Sequence, residues 1–370
     1  MTRDPDRAYL EVGDIRHEGW LGVSVQRSIE QAAAQFQVGL TETWPGQDNP
    51  IKVHPGDACR VLIGDDLIVT GYVDAVSLAH SGDDHSVSVS GRSKTADVVD
   101  CSCDASKAKP AQWKNRTILQ IAEAVCEPYG VEVVCDVPGL APIKNFVARP
   151  GDRAFDVIEQ VCREQRLLIT DTRDGKLLLT RVGTRTGPAF VHPGNILSSS
   201  LRADVSQRFS KYVVKGQVRG DDDNWGEAAA AVQDAIEDLQ DLTRFRLLVV
   251  RGEKAMGQAE ARARANWEAV TRAGRSAAVE ITVAGWRDAD GHVYDVNRLC
   301  KVQDPVIGVD ATLLSVSVQF GLDDRQGQIT RIELAPPGAY EPELPKTVKG
   351  KAGKKVTAGI HLYQIAEGVK

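Results

Sequence analysis

Aromatic residues make up only 5% of this 370-residue chain, and there are two methionines. That scarcity argues against a base-stacking surface and against a Met-lined groove. No stretch approaches the ~20 apolar residues needed to cross a bilayer. Met1–Arg7 is charged and no apolar segment follows it, so no signal peptide is expected, and the protein is expected to be made in the cytoplasm and to stay soluble. The seven cysteines (Cys59, Cys101, Cys103, Cys126, Cys135, Cys162 and Cys300) are an odd number without a CxxC pair. In a reducing compartment they read as small buried hydrophobes, and Cys101-Ser102-Cys103 lacks a second Cys/His pair at zinc spacing. There is no phosphate-binding GxxxxGK[ST], no GxSxG, no HExxH, and no GxGxxG after a strand.

What is present is a globular composition, 42% hydrophobic, in a chain long enough for two to four domains. The net charge of −6 is unevenly spread. From Pro345 onward six lysines and one glutamate give a tail of +5, which leaves −11 on the remainder. An acidic body argues against a nucleic-acid grip, which needs clustered Lys and Arg, yet suits a surface past which a polyanion slides.

The stretch Ser90–Ser102 divides the chain. Before it, Trp20–Arg27, Phe36–Leu40 and Ser86–Gly91 alternate apolar and polar residues, and Gly64-Asp65-Asp66 joins two apolar runs as a hairpin. Ser28–Ala34 predicts one or two helical turns between strands. After it, Ile118–Cys126 and Ala154–Gln165 carry one apolar helical face each, and Leu167–Thr170 with Leu177–Thr180 reads as a hairpin. Strands then return. At one spacing, Ile29 falls on Val205, Gln31 on Gln207, Phe36 on Tyr212 and Val38 on Val214, so Leu201–Val214 echoes Ser24–Val38 as an internal duplication. Ala228–Leu242 and Gly257–Arg272 predict helices inserted in the second copy.

The predicted fold is α+β and β-rich. It has a first small β-barrel (1–91), a middle α+β domain (92–192), a second similar barrel with a helical insertion at about 226–275 (193–335), and a Pro/Lys/Gly-rich tail (336–370). The tail reads as a solvated linker or a segment that docks on a partner. Chemistry-bearing candidates are weak. Asp221-Asp222-Asp223 starts like a calcium loop, but Trp225 takes the fifth position and no Glu the twelfth. His54-Pro55-Gly56 and His192-Pro193-Gly194 read as turns at non-equivalent places. Carboxylates are plentiful, but no local motif nominates a catalytic pair. The expectation is no catalytic residue, no metal and no cofactor.

Several long stretches resemble the baseplate hub protein family of Mu-like contractile phage tails: Ser90–Ser102, Ser199–Gln217, Gly285-Trp286-Arg287, and Arg262–Glu268 followed by Arg272–Ser276. The resemblance runs from about Val12 to Tyr340. It implies a structural, non-enzymatic hub of the virion tail baseplate, assembled in the host bacterial cytoplasm. Such a hub is a homotrimer whose two barrels per subunit form a pseudo-sixfold ring, an architecture shared with the N-terminal part of VgrG-type spikes. The partners implied are the central spike protein, the tail tube and the surrounding baseplate wedge proteins, with DNA passing through the channel without specific binding. A negative lumen would use the acidic body for that passage. The competing readings are a peptidoglycan hydrolase acting during injection, and the hub of a tailocin or secretion-type machine.

Overall fold

The computed structural model describes residues 4–41, 53–80, 85–104, 111–216, 232–238, 242, 244–251, 257–323, 325 and 327–341. The tail beyond Glu341 and the acidic loop 221–226 lie outside the described residues. Seven strands open the chain: β1 (Ala8–Val12), β2 (Ile15–His17), β3 (Gly22–Ser28), β4 (Gln35–Thr41), β5 (Ala58–Ile63), β6 (Asp66–His80) and β7 (His85–Ser93). The middle segment holds α1 (Ala96–Asp100), β8 (Gln112–Arg116), α2 (Ile118–Cys126), β9 (Val133–Cys135), β10 (Ile143–Val147), α3 (Ala154–Glu164), β11 (Leu168–Asp171) and β12 (Leu177–Thr180). Then come β13 (Arg185–Thr186), β14 (Phe190–Val191), β15 (Ile196–Ala203), β16 (Lys211–Gly216), β17 (Val232–Glu237), β18 (Leu247–Arg251), α4 (Gln258–Arg275), β19 (Ala277–Ala284), β20 (Arg298–Asp304), β21 (Val309–Asp323) and β22 (Gly327–Ala335). The chain is thus β-rich with few helices.

One 14-stranded sheet carries most of the strands, in the order β15-β19-β22-β21-β3-β4-β7-β6-β5-β1-β2, with β20 on β21 and β13 and β14 on β20. Within it the order β3-β4-β7-β6-β5 is repeated as β15-β19-β22-β21-β20. The correspondence is detailed. The fourth strand in chain order is 15 residues long in both units and the fifth is nine. Both fourth strands carry a bulge against the fifth, at Val73/Ala75 and at Ser315/Ser317.

The two units thus repeat one strand order, but the second strand of the repeat is not the one the sequence echo set there. Ser24 opposes Gln37 as Ser200 opposes Glu280, so the first strand follows the spacing that set Ile29 on Val205. The counterpart of β4 is β19, not β16. Residues 204–276 are inserted between the two strands, and β16 belongs to a separate sheet ordered β17-β16-β18. Nor is the insertion wholly helical. Val232–Glu237, expected as helix, is a strand paired antiparallel with β16. Ile236 lies opposite Tyr212 and joins the cluster of Tyr212, Val214, Ala261, Ala265 and Ala269 under α4, so sheet pairing and burial override the helix preference of alanine-rich sequence. The elbow Ser28–Ala34 is not a helix either. Ser28 Oγ accepts the Glu30 amide, Ile29 N–H donates to Val316 O, and Ala34 N–H donates to Asp171 and Ser93, so the donors a helix would use are committed elsewhere.

Local rules hold in the middle segment. Thr117 caps α2 in a reciprocal capping box with Gln120. β11 and β12 form the expected hairpin, with β9 added in parallel. Its core of Ile118, Ile121, Val125, Val157, Ile158, Val161 and their neighbours is separate from the core that underlies the two repeated units.

The Ser90-Gly91 step is explained by close approach. A Cβ on Gly91 would stand 2.1 Å from Tyr72 O and 2.6 Å from the Phe36 ring, and one on Gly71 would stand 1.8 Å from Arg92 O. The twisted β6–β7 ladder and the Phe36 ring leave no room for a side chain. Gly91→Ala is expected to cost about 1–3 kcal/mol by overpacking, whereas Ser90→Ala, on the solvent side of the same strand, should be nearly neutral; urea unfolding of the two variants measures the difference.

Candidate functional site

The two repeated units join through β3 and the outer half of β21, antiparallel, from Ser317 opposite Ser28 to Leu322 opposite Val23. The inner half of β21 is occupied by β20, from Val309 to Leu314. The equivalent strand of the first unit, β6, is half used. Its inner half, Asp66–Tyr72, pairs with β5, but no described strand lies on that side of Asp74–Ala79. At the opposite end of the path, among the described strands, β15 pairs only with β19. Eight strands from β15 to β6 thus form a ribbon with one unpaired backbone edge at each end.

One face of this ribbon packs on the core. The other is a carpet of serine and glutamine. Gln26 Nε2 donates to Ser317 Oγ at 3.2 Å and Gln319 Nε2 to Ser24 Oγ at 3.0 Å, both across the β3·β21 joint. Gln37 Nε2 donates to Ser88 Oγ at 3.2 Å. Among the described residues, the charges on this face include Arg92, Arg202 and Arg331 against Asp74, Glu280 and Glu333, the two glutamates directly opposed across β19 and β22. Glu333 is held above the ordinary glutamate range, first because its surroundings partly shield it from water, then because Glu30 and Glu280 repel it.

Behind the opposite face three segments meet at a buried ionic cluster. The Arg27 guanidinium, 4% exposed, donates to Asp171 O at 2.9 Å and Oδ1 at 3.2 Å, and to Asp295 Oδ1 at 3.0 Å. Arg173 reaches the other Asp295 oxygen at 3.4 Å and the carbonyls of Val293 and Tyr294. Asp171 Oδ2 accepts the Ala34 amide. Burial works against the Arg27 charge, but Asp171 and Asp295 outweigh it and its pKa stays above the ordinary arginine value; for Arg173 burial prevails and the pKa falls. Arg27 comes from the first unit, Asp171 and Arg173 from the middle hairpin, and Asp295 from the second unit. This cluster was not visible in sequence, where its members are ordinary surface-type charges.

The Ser90–Ser102 stretch runs along the same junction. Ser93 and Thr95 are fully buried and share a 2.7 Å hydrogen bond. Arg92 bridges Asp74 of β6 at 2.7 Å and Asp100 of α1 at 2.8 Å. The other long motifs are clamps as well. Trp286 is buried and donates to Gly321 O, while Arg287 binds Asp66, Ile63 O and Pro5 O. Arg264 and Arg272 flank the buried Glu268, Trp267 donates to Glu341 O, and Arg208 pairs with Asp238.

Among the described residues, the candidate nucleophiles and bases stand apart. Four cysteines are buried, and burial pushes the Cys59, Cys126 and Cys300 thiols up to about 12, far from a reactive thiolate. His54 and His192 sit in separate turns. Sequence reasoning passed over His292, which joins Asp288 and Asp290 in a turn with ligand atoms within 4.8 Å of one another. Asp290 and His292 are exposed, and Asp288 Oδ1 already accepts both of their amides, which is how an Asx turn closes itself.

Comparison with known proteins adds a family. Residues 8–93 match the description "Mu phage baseplate assembly protein GpP-like, N-terminal", residues 95–181 "Baseplate hub protein gp44-like, second domain", and residues 257–343 "Mu phage baseplate assembly protein GpP, fourth domain". The baseplate hub protein gp44 of Escherichia phage Mu is 31% identical over 350 residues, which cover 92% of this chain and 91% of that protein. The crystal structure of the 43 kDa tail protein of prophage MuSo2 from Shewanella oneidensis superposes with a TM-score of 0.81 at 29% identity, over 91% of this chain and 99% of that one. A tail protein from Neisseria meningitidis MC58 shares the fold with a TM-score of 0.76 at 20% identity, over 91% and 98%.

Two variants test these sites. Arg27→Ala strands Asp171 without its counter-charge in the interior and is expected to cost about 3–5 kcal/mol, measured by denaturant unfolding. Glu333 acts in the opposite sense. Its raised folded-state pKa means that ionisation at neutral pH opposes folding, and this penalty vanishes once pH falls below the ordinary glutamate pKa, where folded and unfolded chains are both protonated. Glu333→Gln should therefore raise the melting temperature at neutral pH and leave it unchanged at acid pH.

Proposed function

The chain belongs to the baseplate hub protein family of Mu-like phage tails, and from that premise we propose that it is a non-catalytic hub whose three copies form a pseudo-sixfold ring between the sixfold tail tube and the threefold central spike. The observation that carries this reading is the repeat of one five-strand order within a single sheet, β3-β4-β7-β6-β5 and β15-β19-β22-β21-β20, left open at both ends. A joint between unlike edges generates a ring when its rotation closes. Three chains with two units each then present six similar units toward the tube and threefold symmetry toward the spike.

In this reading residues 1–91 and 193–335 form the two barrel-like ring domains, residues 92–192 face outward to the surrounding baseplate proteins together with the inserted β16–β18 and α4, and the tail 336–370 reaches the spike or a neighbouring subunit. Eight strands from each of three copies, spaced about 4.8 Å apart, give a ring about 37 Å across between opposite backbones, before strand tilt widens it. The bulk of the chain, including the middle segment held by Arg27, lies behind the core face of the ribbon, so the bare serine–glutamine face is the one free to turn inward. The lumen is then nearly neutral rather than acidic, and it suits passage of DNA without binding because it offers no row of Lys and Arg to displace counterions. Assembly takes place in the host cytoplasm.

Light scattering on the purified chain, alone and mixed with spike protein, is the direct test. The expected mass is that of three subunits. A chain that stays monomeric and binds no spike overturns the ring.

A further inference from the structure

The two open edges of the ribbon are not merely unpaired; they are the two halves of a joint that the chain already makes once. Inside the molecule, the first strand of one unit, β3, lies on the outer half of the long fourth strand of the other, β21. The edges left over are the first strand of the second unit, β15, and the outer half of the long fourth strand of the first, β6. We propose that β15 of one copy pairs with the Asp74–Ala79 half of β6 in the next, in the register that β3 uses on β21. This deepens the ring reading and rests on it.

The register follows from the ladders. Ser90 opposes Ala75 and Gln37 as Glu333 opposes Ser317 and Glu280, so Ala75 is the counterpart of Ser317. Ser24 opposes Gln37 as Ser200 opposes Glu280, so Ser200 is the counterpart of Ser24. Within the chain Gln319 faces Gln26, Phe320 faces Val25 and Gly321 faces Ser24. Carried over, Ser77 faces Arg202, Leu78 faces Leu201 and Ala79 faces Ser200 of the neighbouring copy.

The side chains support the carry-over. Phe320 and Val25 are 1% and 0% exposed and stand opposite each other at the internal joint, within the shared core. Their counterparts are Leu78 and Leu201. Leu78 is 73% exposed, and Leu201 is part-buried on the same core-facing side. A leucine on an open strand edge, opposite a leucine on the complementary edge, is what an unfilled copy of the Phe320–Val25 contact looks like. Ser77 and Arg202 fall on the serine–glutamine face, so the polar wall continues across the joint. Edge strands with exposed apolar residues are ordinarily hazards, and pairing removes the hazard. Six like joints, three within chains and three between them, then hold the ring.

Paired cysteines test the register. Ser77→Cys with Arg202→Cys places two exposed residues directly across the proposed ladder, at the Cα separation a disulfide bridges. On mild oxidation the double variant should give covalent dimers and trimers on non-reducing gels, and neither single variant should. Shifting the second cysteine by one position, to Leu201→Cys, turns it to the other face and should abolish the ladder. Leu78→Asp alters a side chain that is solvent-exposed in the single chain, so it should leave the melting temperature of the monomer unchanged while weakening trimer formation at least about tenfold, a loss of ~1.4 kcal/mol or more. A protein that forms trimers by light scattering but yields no 77–202 cross-link, with full trimer formation by Leu78→Asp, overturns this joint and leaves the ring standing. A chain that never trimerises, even with spike protein, overturns both.

Discussion

Everything in this molecule hangs on a single antiparallel ladder between strands nearly 300 positions apart in the chain, β3 and β21. The hydrogen bond from Gln26 to Ser317 spans 291 residues. Such a contact forms only after the intervening chain has been gathered, and its loop-closure cost grows slowly with length while the ladder returns a full set of backbone bonds and the burial of Phe320 on Val25. Because the ladder unites two units that are each incomplete at their edges, it turns two small sheets into one, over a shared core from Leu10 to Leu334. The middle segment is then pinned to the back of this ribbon by Arg27, which reaches both Asp171 and Asp295 and so reports on the assembly of all three parts at once.

That arrangement separates two kinds of polar chemistry. Behind the ribbon, charges are buried, paired and strict in geometry; a missing partner there leaves an unsatisfied ion. On the exposed face they give way to amides and hydroxyls that bond to one another over short distances. The motifs that mark the family are rich in paired charges. Arg92, Arg287 and Arg208 each fasten one chain segment to another, and Glu268 holds two arginines of its own helix, which accounts for much of the polar content of these motifs.

Much of this was legible from residue order where the determinants are local. The periodicity of Ile118–Cys126 and Ala154–Glu164, the hairpin at Leu168–Thr180 and the strand alternation of the first segment act within a few residues, and each has its element. The first strand of the repeat was readable at the spacing that sets Ile29 on Val205. The second strand was not, because residues 204–276 intervene, and Tyr212 and Val214 imitate Phe36 and Val38 by chance of pattern while serving a different core. Val232–Glu237 carried a helix-forming composition that a waiting edge of β16 overrode. The Arg27 cluster left no local trace, since Arg27 and Asp171 are 144 residues apart and neither has unusual neighbours in sequence. The serine–glutamine face was hidden for another reason: alternation announces that one side of a strand meets water, but not that eight strands align those sides into a single surface.

The balanced charge and amide–hydroxyl pairing of that surface have a mechanical meaning. Gln26, Gln37 and Gln319 donate an amide N–H to Ser317, Ser88 and Ser24 respectively, so the wall's polar groups pair in part with one another. A polyelectrolyte dragged past fixed charges must repeatedly exchange its ion cloud for theirs and back, which dissipates work at every step. A wall with balanced charges, whose amides and hydroxyls bond to one another, asks for little such exchange. In the proposed ring such a wall would act as a water-lubricated bearing for what passes through it.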